Sequence, residues 1–119
     1  MTTVLVVDDS RLAREMVSGA IAALHPDWTI VTAVDGDDAL NRLAEAAPAA
    51  ALVDFNMPGM DGLTLAGHLR ERMPQLPVGI LTANVQDALR RKAEELGCRF
   101  IPKPVTVDKI RTFFTGAGL

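Results

Sequence analysis

Short apolar runs alternate along the chain with longer stretches in which apolar residues recur at helical spacing. The runs are TVLVV at 3–7, TIVTAV at 29–34, AALV at 50–53, VGILT at 78–82 and CRFI at 98–101. Each is almost continuously apolar, as strands covered on both faces are, so five buried strands are predicted. Between the first two, Leu12, Met16, Ala20 and Leu24 recur every four residues, joined by Ala13, Val17 and Ile21. That spacing predicts an amphipathic helix over 10–24. Ala39, Leu40, Leu43 and Ala47 mark a second helix, and Leu65, Ala66, Leu69 and Met73 a third. Val85, Ala88, Leu89, Ala93 and Leu96 mark a fourth, and Val107, Ile110, Phe113 and Phe114 a fifth. Pro26, Gly36, Pro48, Pro74, Pro77 and Gly97 fall between these segments, where turns are needed.

Parallel strands need crossover connections, and a strict strand-helix alternation supplies one after each strand. The predicted fold is therefore α/β, a doubly wound five-stranded parallel sheet with helices on both faces, forming one domain over residues 1–119. In such sheets ligands bind beyond the carboxyl ends of the strands, where the winding reverses. The first strand ends in Asp8 and Asp9, the third in Asp54 and the fourth in Thr82, and Lys103 follows the fifth.

Composition narrows the function. The chain is 49% hydrophobic and 23% charged, ordinary for a globular protein. Its net charge of -3 lacks the basic footprint of a nucleic-acid binder, so no nucleic-acid partner is expected. Cys98 is the only cysteine, which excludes an internal disulfide and, within an apolar run, predicts a buried thiol. No signal-peptide pattern opens the chain, and no apolar run reaches the roughly 18 residues needed to span a bilayer. A cytoplasmic protein without membrane contact is expected.

Three carboxylates at neighbouring strand ends repel one another unless a cation is present. An all-oxygen donor set with no clustered His or Cys favours a hard ion with retained waters, Mg²⁺ above Ca²⁺. Relief of that repulsion predicts that Asp54→Asn stabilises the metal-free protein. Taken singly, these residues have plainer readings. Asp8 and Asp9 suit a helix start with Asp9 or Ser10 as cap, Thr82 suits a strand, and Lys103 suits a solvated surface. His25 and His68 have no metal-ligand spacing and read as loop and helix-surface residues. Trp28, just before the second strand, is expected to lie away from the acidic cluster.

The acidic pair in VVDDS, the loop DFNMPGMDG, LTA at 81–83 and FIPKP at 100–104 together resemble the receiver domain of two-component response regulators, particularly the stand-alone chemotaxis type, from Thr3 to about Phe114. The resemblance implies a flavodoxin-like sheet of order 2-1-3-4-5. It implies that Asp54 accepts a phosphoryl group from a histidine kinase or histidine phosphotransfer protein. Asp9, Asp54 and the backbone carbonyl of Asn56 would bind Mg²⁺, with Asp8 helping through water. Thr82 and Lys103 would contact phosphoryl oxygens, and Thr82 and Phe100 would form the switch. Asn56, Ala83 and Asn84 would tune access and dephosphorylation rate, and Pro104 would follow a cis bond. Pro58 and Gly62 read as scaffolding of the loop, by turn chemistry as well as by resemblance.

Phe100 has no hydroxyl to donate a hydrogen bond on moving inward, and it equally suits a place in the core. Pro102 removes a backbone donor, which an edge strand tolerates. Arg90, Arg91, Lys92, Arg99, Lys109 and Arg111 make the expected output face, helix four with strand five and helix five, locally basic. The expected function is a phosphorylation-dependent signalling switch, a monomer or weak dimer, that catalyses its own phosphorylation and dephosphorylation but turns over no external substrate. A phosphate relay or sink is the alternative. An aspartate-nucleophile phosphatase fits poorly, since Asn56 stands where that chemistry needs an acid two residues after the nucleophile.

Overall fold

The computed structural model describes residues 2–119. Its strands are β1 (Thr3–Val7), β2 (Thr29–Ala33), β3 (Ala50–Asp54), β4 (Val78–Thr82) and β5 (Arg99–Pro102). They alternate with helices α1 (Arg11–Leu24), α2 (Gly36–Ala46), α3 (Gly62–Arg72), α4 (Asp87–Glu95) and α5 (Val107–Gly116). All pairings are parallel in the order β2-β1-β3-β4-β5, the expected doubly wound sheet. β3 runs one residue further than the apolar pattern, taking in Asp54, and β5 is shifted forward to include Pro102 on the edge.

Successive strand side chains point to opposite faces, which splits the core in two. Leu5, Val7, Ala51, Val53, Val78 and Ile80 pack against Ala39 and Leu43 of α2, Leu65 and Leu69 of α3 and Ala93 of α4. Val4, Val6, Ala50, Leu52, Leu81 and Ile101 pack on the other side against Val17 and Ile21 of α1 and Ile110, Phe113 and Phe114 of α5. β3 and β4 are buried throughout, as central strands of a two-faced sheet must be.

Four helices open on a side chain that accepts a backbone N–H of their first turn: Ser10 from Ala13, Asp35 from Asp38, Asp61 from Thr64 and Thr106 from Lys109. Ser10, not Asp9, is therefore the cap of α1. Gln86 makes no such bond at the start of α4.

The expected apolar stripe of α1 is displaced. Val17 and Ile21 are its buried residues, whereas Leu12 and Met16 are 67% and 55% exposed. A row spaced every four residues drifts about 40° per step around a 3.6-residue helix, so its early members turn away from the face its later ones share. The fourth helix is shorter than its apolar pattern: within α4 only Leu89 and Ala93 are buried and Ala88 faces solvent, while Val85 and Leu96 lie outside its ends and are exposed.

Cys98 is buried, as expected, and burial raises its thiol pKa, with nearby Arg70 opposing. Trp28 stacks on His25 at 3.6 Å and meets Phe114 edge-on at 5.0 Å, so His25 is a packing partner as well as a loop residue. Because Phe114 is almost fully buried and bridges α5 to this pair, Phe114→Ala is expected to cost about 3–5 kcal/mol of stability. Urea unfolding followed by Trp28 emission measures it; a loss below about 1 kcal/mol would show that the second core does not depend on this ring.

Candidate functional site

Strand register assembles the site. Val7 pairs with Val53, so Asp8, one residue on, falls beside Asp54. Asp54 pairs with Leu81, which puts Thr82 one step beyond, and Thr82 pairs with Pro102, which puts Lys103 one step beyond that. Ladder bonds continue past the strand ends: Asp8 N donates to Ala33 O at 3.1 Å, Phe55 N to Leu81 O at 2.9 Å and Lys103 N to Thr82 O at 2.8 Å. Side chains at four strand ends are thereby held by the sheet itself.

Asp8, Asp54 and Thr82 are the buried polar residues of the described chain, at 3%, 4% and 1% exposure. Lys103 Nζ lies 2.7 Å from Asp54 Oδ1, a charge contact outside aligned hydrogen-bond geometry. Asp8 Oδ1 accepts from Ser10 N at 2.9 Å, while its buried Oδ2 has no partner among the described residues. Burial raises the Asp8 pKa first; the Ser10 N–H opposes this, Asp54 adds to it, Lys103 opposes, and Asp9 adds a little. Carboxylate oxygens of Asp8, Asp9 and Asp54 lie within 4.8 Å of one another, with Asp9 exposed. One ammonium faces three carboxylates, and a buried carboxylate oxygen lacks a donor. Those facts, with an all-oxygen donor set, fit a hard divalent cation.

Thr82 Oγ1 accepts from Asn84 N at 2.9 Å, which occupies a lone pair and leaves the hydroxyl proton free to donate elsewhere. Ala83 is exposed and Asn84 partly so, beside the opening of the site. Asn56 is exposed in the loop between β3 and α3. Gly62 N donates to Phe55 O at 3.0 Å and closes that loop, and a Cβ on Gly62 would lie 2.5 Å from Asp54 O. Gly59, after Pro58, has φ +79°, a conformation glycine adopts without a Cβ penalty. The Lys103–Pro104 peptide is cis. Phe100 lies apart from the carboxylates, half-buried on β5, with the Arg90 guanidinium 4.6 Å over its ring.

Three supporting residues were not singled out from the sequence. Arg14 donates to the Asp8 backbone carbonyl at 2.8 Å from the second turn of α1, six residues away, a spacing with no motif to mark it. Met57 and Met60, quoted only as part of the loop motif, turn inward from it. Met57 is buried in the first core and Met60 packs against that core. The signal was present as two apolar residues inside an otherwise polar turn.

A parallel sheet wound 2-1-3-4-5, with carboxylates filling its point of reversal, defines a flavodoxin-like α/β protein of the CheY type. The family model described as "Response regulator receiver domain" matches residues 4–115, and the chain belongs to that family. Chemotaxis protein CheY4 of Vibrio cholerae is similar at 26% identity, covering 98% of each chain with a TM-score of 0.89. The receiver domain of NtrX from Brucella abortus is 29% identical over 96% of each chain, with a TM-score of 0.86. The DNA-binding transcriptional regulator NtrC of Escherichia coli is 36% identical over 107 residues, 89% of this chain but 22% of that protein. The chain thus spans less than half the length of these curated relatives that it matches. Receiver domains are switches of phosphorylation-dependent two-component signalling rather than turnover enzymes, and generally use Mg²⁺. No helix among the described residues is long and apolar enough to cross a membrane.

The structure moves the expected site of repulsion relief from Asp54 to Asp8. Asp54 has the Lys103 ammonium, and Asp54→Asn would leave that ammonium without its partner. Asp8→Asn instead removes a charge whose buried oxygen has no donor. Because the folded-state pKa of Asp8 is raised, the folded protein holds its proton better than the unfolded chain does. The associated stability is full below the ordinary carboxylate range and is lost as pH rises through the raised value. In chelator, Asp8→Asn should therefore melt above wild type at pH 7, with the difference shrinking toward pH 4. Equal melting temperatures at pH 7 would count against a strained, uncompensated Asp8.

Proposed function

We propose that the chain works as a phosphoaspartate switch in which Asp54 is the phosphoacceptor and Asp8, Asp9, Asp54 and the Asn56 carbonyl hold Mg²⁺. The observation that carries this reading is the Lys103 ammonium on one oxygen of a buried Asp54 inside a three-carboxylate cluster. The contact pins Oδ1 and leaves Oδ2 for attack. Mg²⁺, when bound, supplies the charge neutralisation that lets anionic nucleophile and phosphoryl group approach.

The donor is a phosphohistidine on a kinase or phosphotransfer protein. Asp54 Oδ2 forms an O–P bond as the P–N bond breaks, and the imidazole leaves with the electron pair and takes up a proton. Thr82 donates its free hydroxyl proton to a phosphoryl oxygen and Lys103 pairs with another, so positioning and charge do most of the catalysis. Water attack on the acyl phosphate returns Asp54 and inorganic phosphate, with Asn56 and Asn84 at the opening setting how water reaches it. The surroundings suit a protein donor: Leu12, Val34, Val85 and Val107 are exposed apolar residues on segments that follow strand carboxyl ends.

Partner binding through α4, β5 and α5 is supported by a groove of about 250 Å³ between β5 and α5, lined by Phe100, Pro102, Lys109 and Phe113 among others. That face is less freely basic than the sequence implies. Lys109 donates to Pro102 O and Pro104 O at 2.9 Å each, Arg111 pairs with Asp108, and Arg90 covers Phe100. A cytoplasmic setting follows from the kinase partner. The relay or sink reading is not favoured, since no observed feature requires onward transfer.

Incubation with acetyl phosphate and Mg²⁺ should add one phosphoryl group by intact mass, and Asp54→Asn should abolish the addition. Labelling of Asp54→Asn at the wild-type level would falsify the assignment. Lys103→Ala should keep Mg²⁺ binding but slow labelling by about 10²-fold or more, the usual scale for losing a charge-stabilising group.

A further inference from the structure

Gly36 opens α2, on a different loop from every residue assigned to the site, yet it meets the loop that carries Asn56. A Cβ built on Gly36 would lie 2.6 Å from Met60 Sδ, 3.1 Å from Met60 Cβ and 3.2 Å from Met60 Cε. The whole Met60 side chain therefore lies across the hydrogen of this glycine. We propose that Gly36 is a positioning residue for the metal site, acting through Met60 to set the loop between β3 and α3. The inference rests on the reading that Asn56 and the acidic cluster hold Mg²⁺.

Which side would yield to a Cβ follows from how each is held. The start of α2 is tied reciprocally: Asp35 Oδ1 accepts from Asp38 N at 2.8 Å, and Asp38 Oδ2 accepts from Val34 N at 3.0 Å. Asp38 is further engaged by Arg42 at 3.2 Å. Asp8 N, bonded to Ala33 O, joins the same corner to the acidic pair.

The loop opposite is fixed at its ends and open in the middle. Phe55 N–H and Gly62 N–H are bonded to Leu81 O and Phe55 O, and Asp61 caps α3, but residues 56–60 make no hydrogen bond among the described residues. Their position rests on packing, with Met57 in the core and Met60 on Gly36. A methyl group at 36 is therefore met on the Met60 side: Sδ and Cε can swing away, but Met60 Cβ, 3.1 Å off, gives only if the loop backbone shifts with it. Gly36 does not have the positive φ that would strain alanine, so Gly36→Ala changes the contact without demanding a new backbone.

The test is a double-mutant cycle read by Mg²⁺ affinity, from titration calorimetry with the metal alone, beside melting temperature in chelator. Gly36→Ala should weaken Mg²⁺ binding about tenfold, the lower end for losing a residue that supports a ligand. Met60→Ala, which keeps α2 intact, should weaken it similarly. In the Met60→Ala background Gly36→Ala should cost less than about twofold, because the atoms it would displace are gone. Melting of Gly36→Ala in chelator should stay near wild type, which a merely structural role for Gly36 would not predict, whereas Met60→Ala should melt lower through its lost packing on the core. Wild-type affinity in Gly36→Ala, or an equal loss in both backgrounds, overturns the inference while leaving the Mg²⁺ reading intact. Absence of Mg²⁺ binding by wild type overturns that reading and the inference with it.

Discussion

One ammonium among three carboxylates is the constraint on which the rest depends. Burying Asp8 and Asp54 costs desolvation, and Asp9 adds a third negative charge at the rim. Lys103 compensates for only part of this, and it can do so only because β5 lies beside β4 in a register that delivers residue 103 one step beyond Thr82. Reversal of the winding between β1 and β3 brings two of the acids together; the β4–β5 edge brings the base. A sheet of another order would separate them. The charge imbalance that makes the pocket costly on its own is what a divalent cation would offset, and the proposed phosphoryl group would find Lys103 and Thr82 placed to share its charge.

Much of this was open to reading in the sequence because buried parallel strands are written in long apolar runs. TVLVV and VGILT mark β1 and β4 to the residue, and the two carboxylates after TVLVV stand out against the apolar background. Asp54 was legible as a strand terminus, and β3 carries it as its last paired residue. Helix faces were harder to read. Leu12 and Met16 belong to an apolar row by spacing, but which part of a wide apolar arc points inward depends on where β1 and α5 lie, and that is tertiary information.

The identities of the supporting residues escaped for a related reason. Lys103 carries a recognisable neighbourhood in FIPKP, so its position could be anticipated by resemblance. Arg14 acts through a backbone carbonyl, and Gly36 acts by what it lacks. Neither role leaves a side-chain pattern to read. Gly36 looks like turn punctuation, and its close approach to Met60 exists only once α2 and the loop after β3 are packed together. Basic residues mislead in the opposite direction: six of them suggest an open positive face, but Lys109 and Arg111 are engaged locally.

Thr82 links the pocket to the far edge of the sheet by bonds that can be followed atom by atom. Its hydroxyl accepts from Asn84 N, Asn84 Oδ1 accepts from Gln86 N at 3.1 Å, and Gln86 O accepts from Leu89 N and Arg90 N at 3.2 Å each. Arg90 then covers the face of Phe100. α4, like α1, buries only two residues, but it is the shortest helix and the one that lacks a side-chain cap, so its hold on the sheet is the weakest of the five. A hydroxyl drawn toward a phosphoryl group would therefore pull on the least secured helix. Phe100 gains no hydrogen bond by turning inward, and it would give up a guanidinium contact of about 0.5–1 kcal/mol to do so. The resting arrangement of this edge is thus held by Arg90 on α4, where a tyrosine hydroxyl would instead reward the inward state. Any readout through Phe100 has to be driven by what happens to α4.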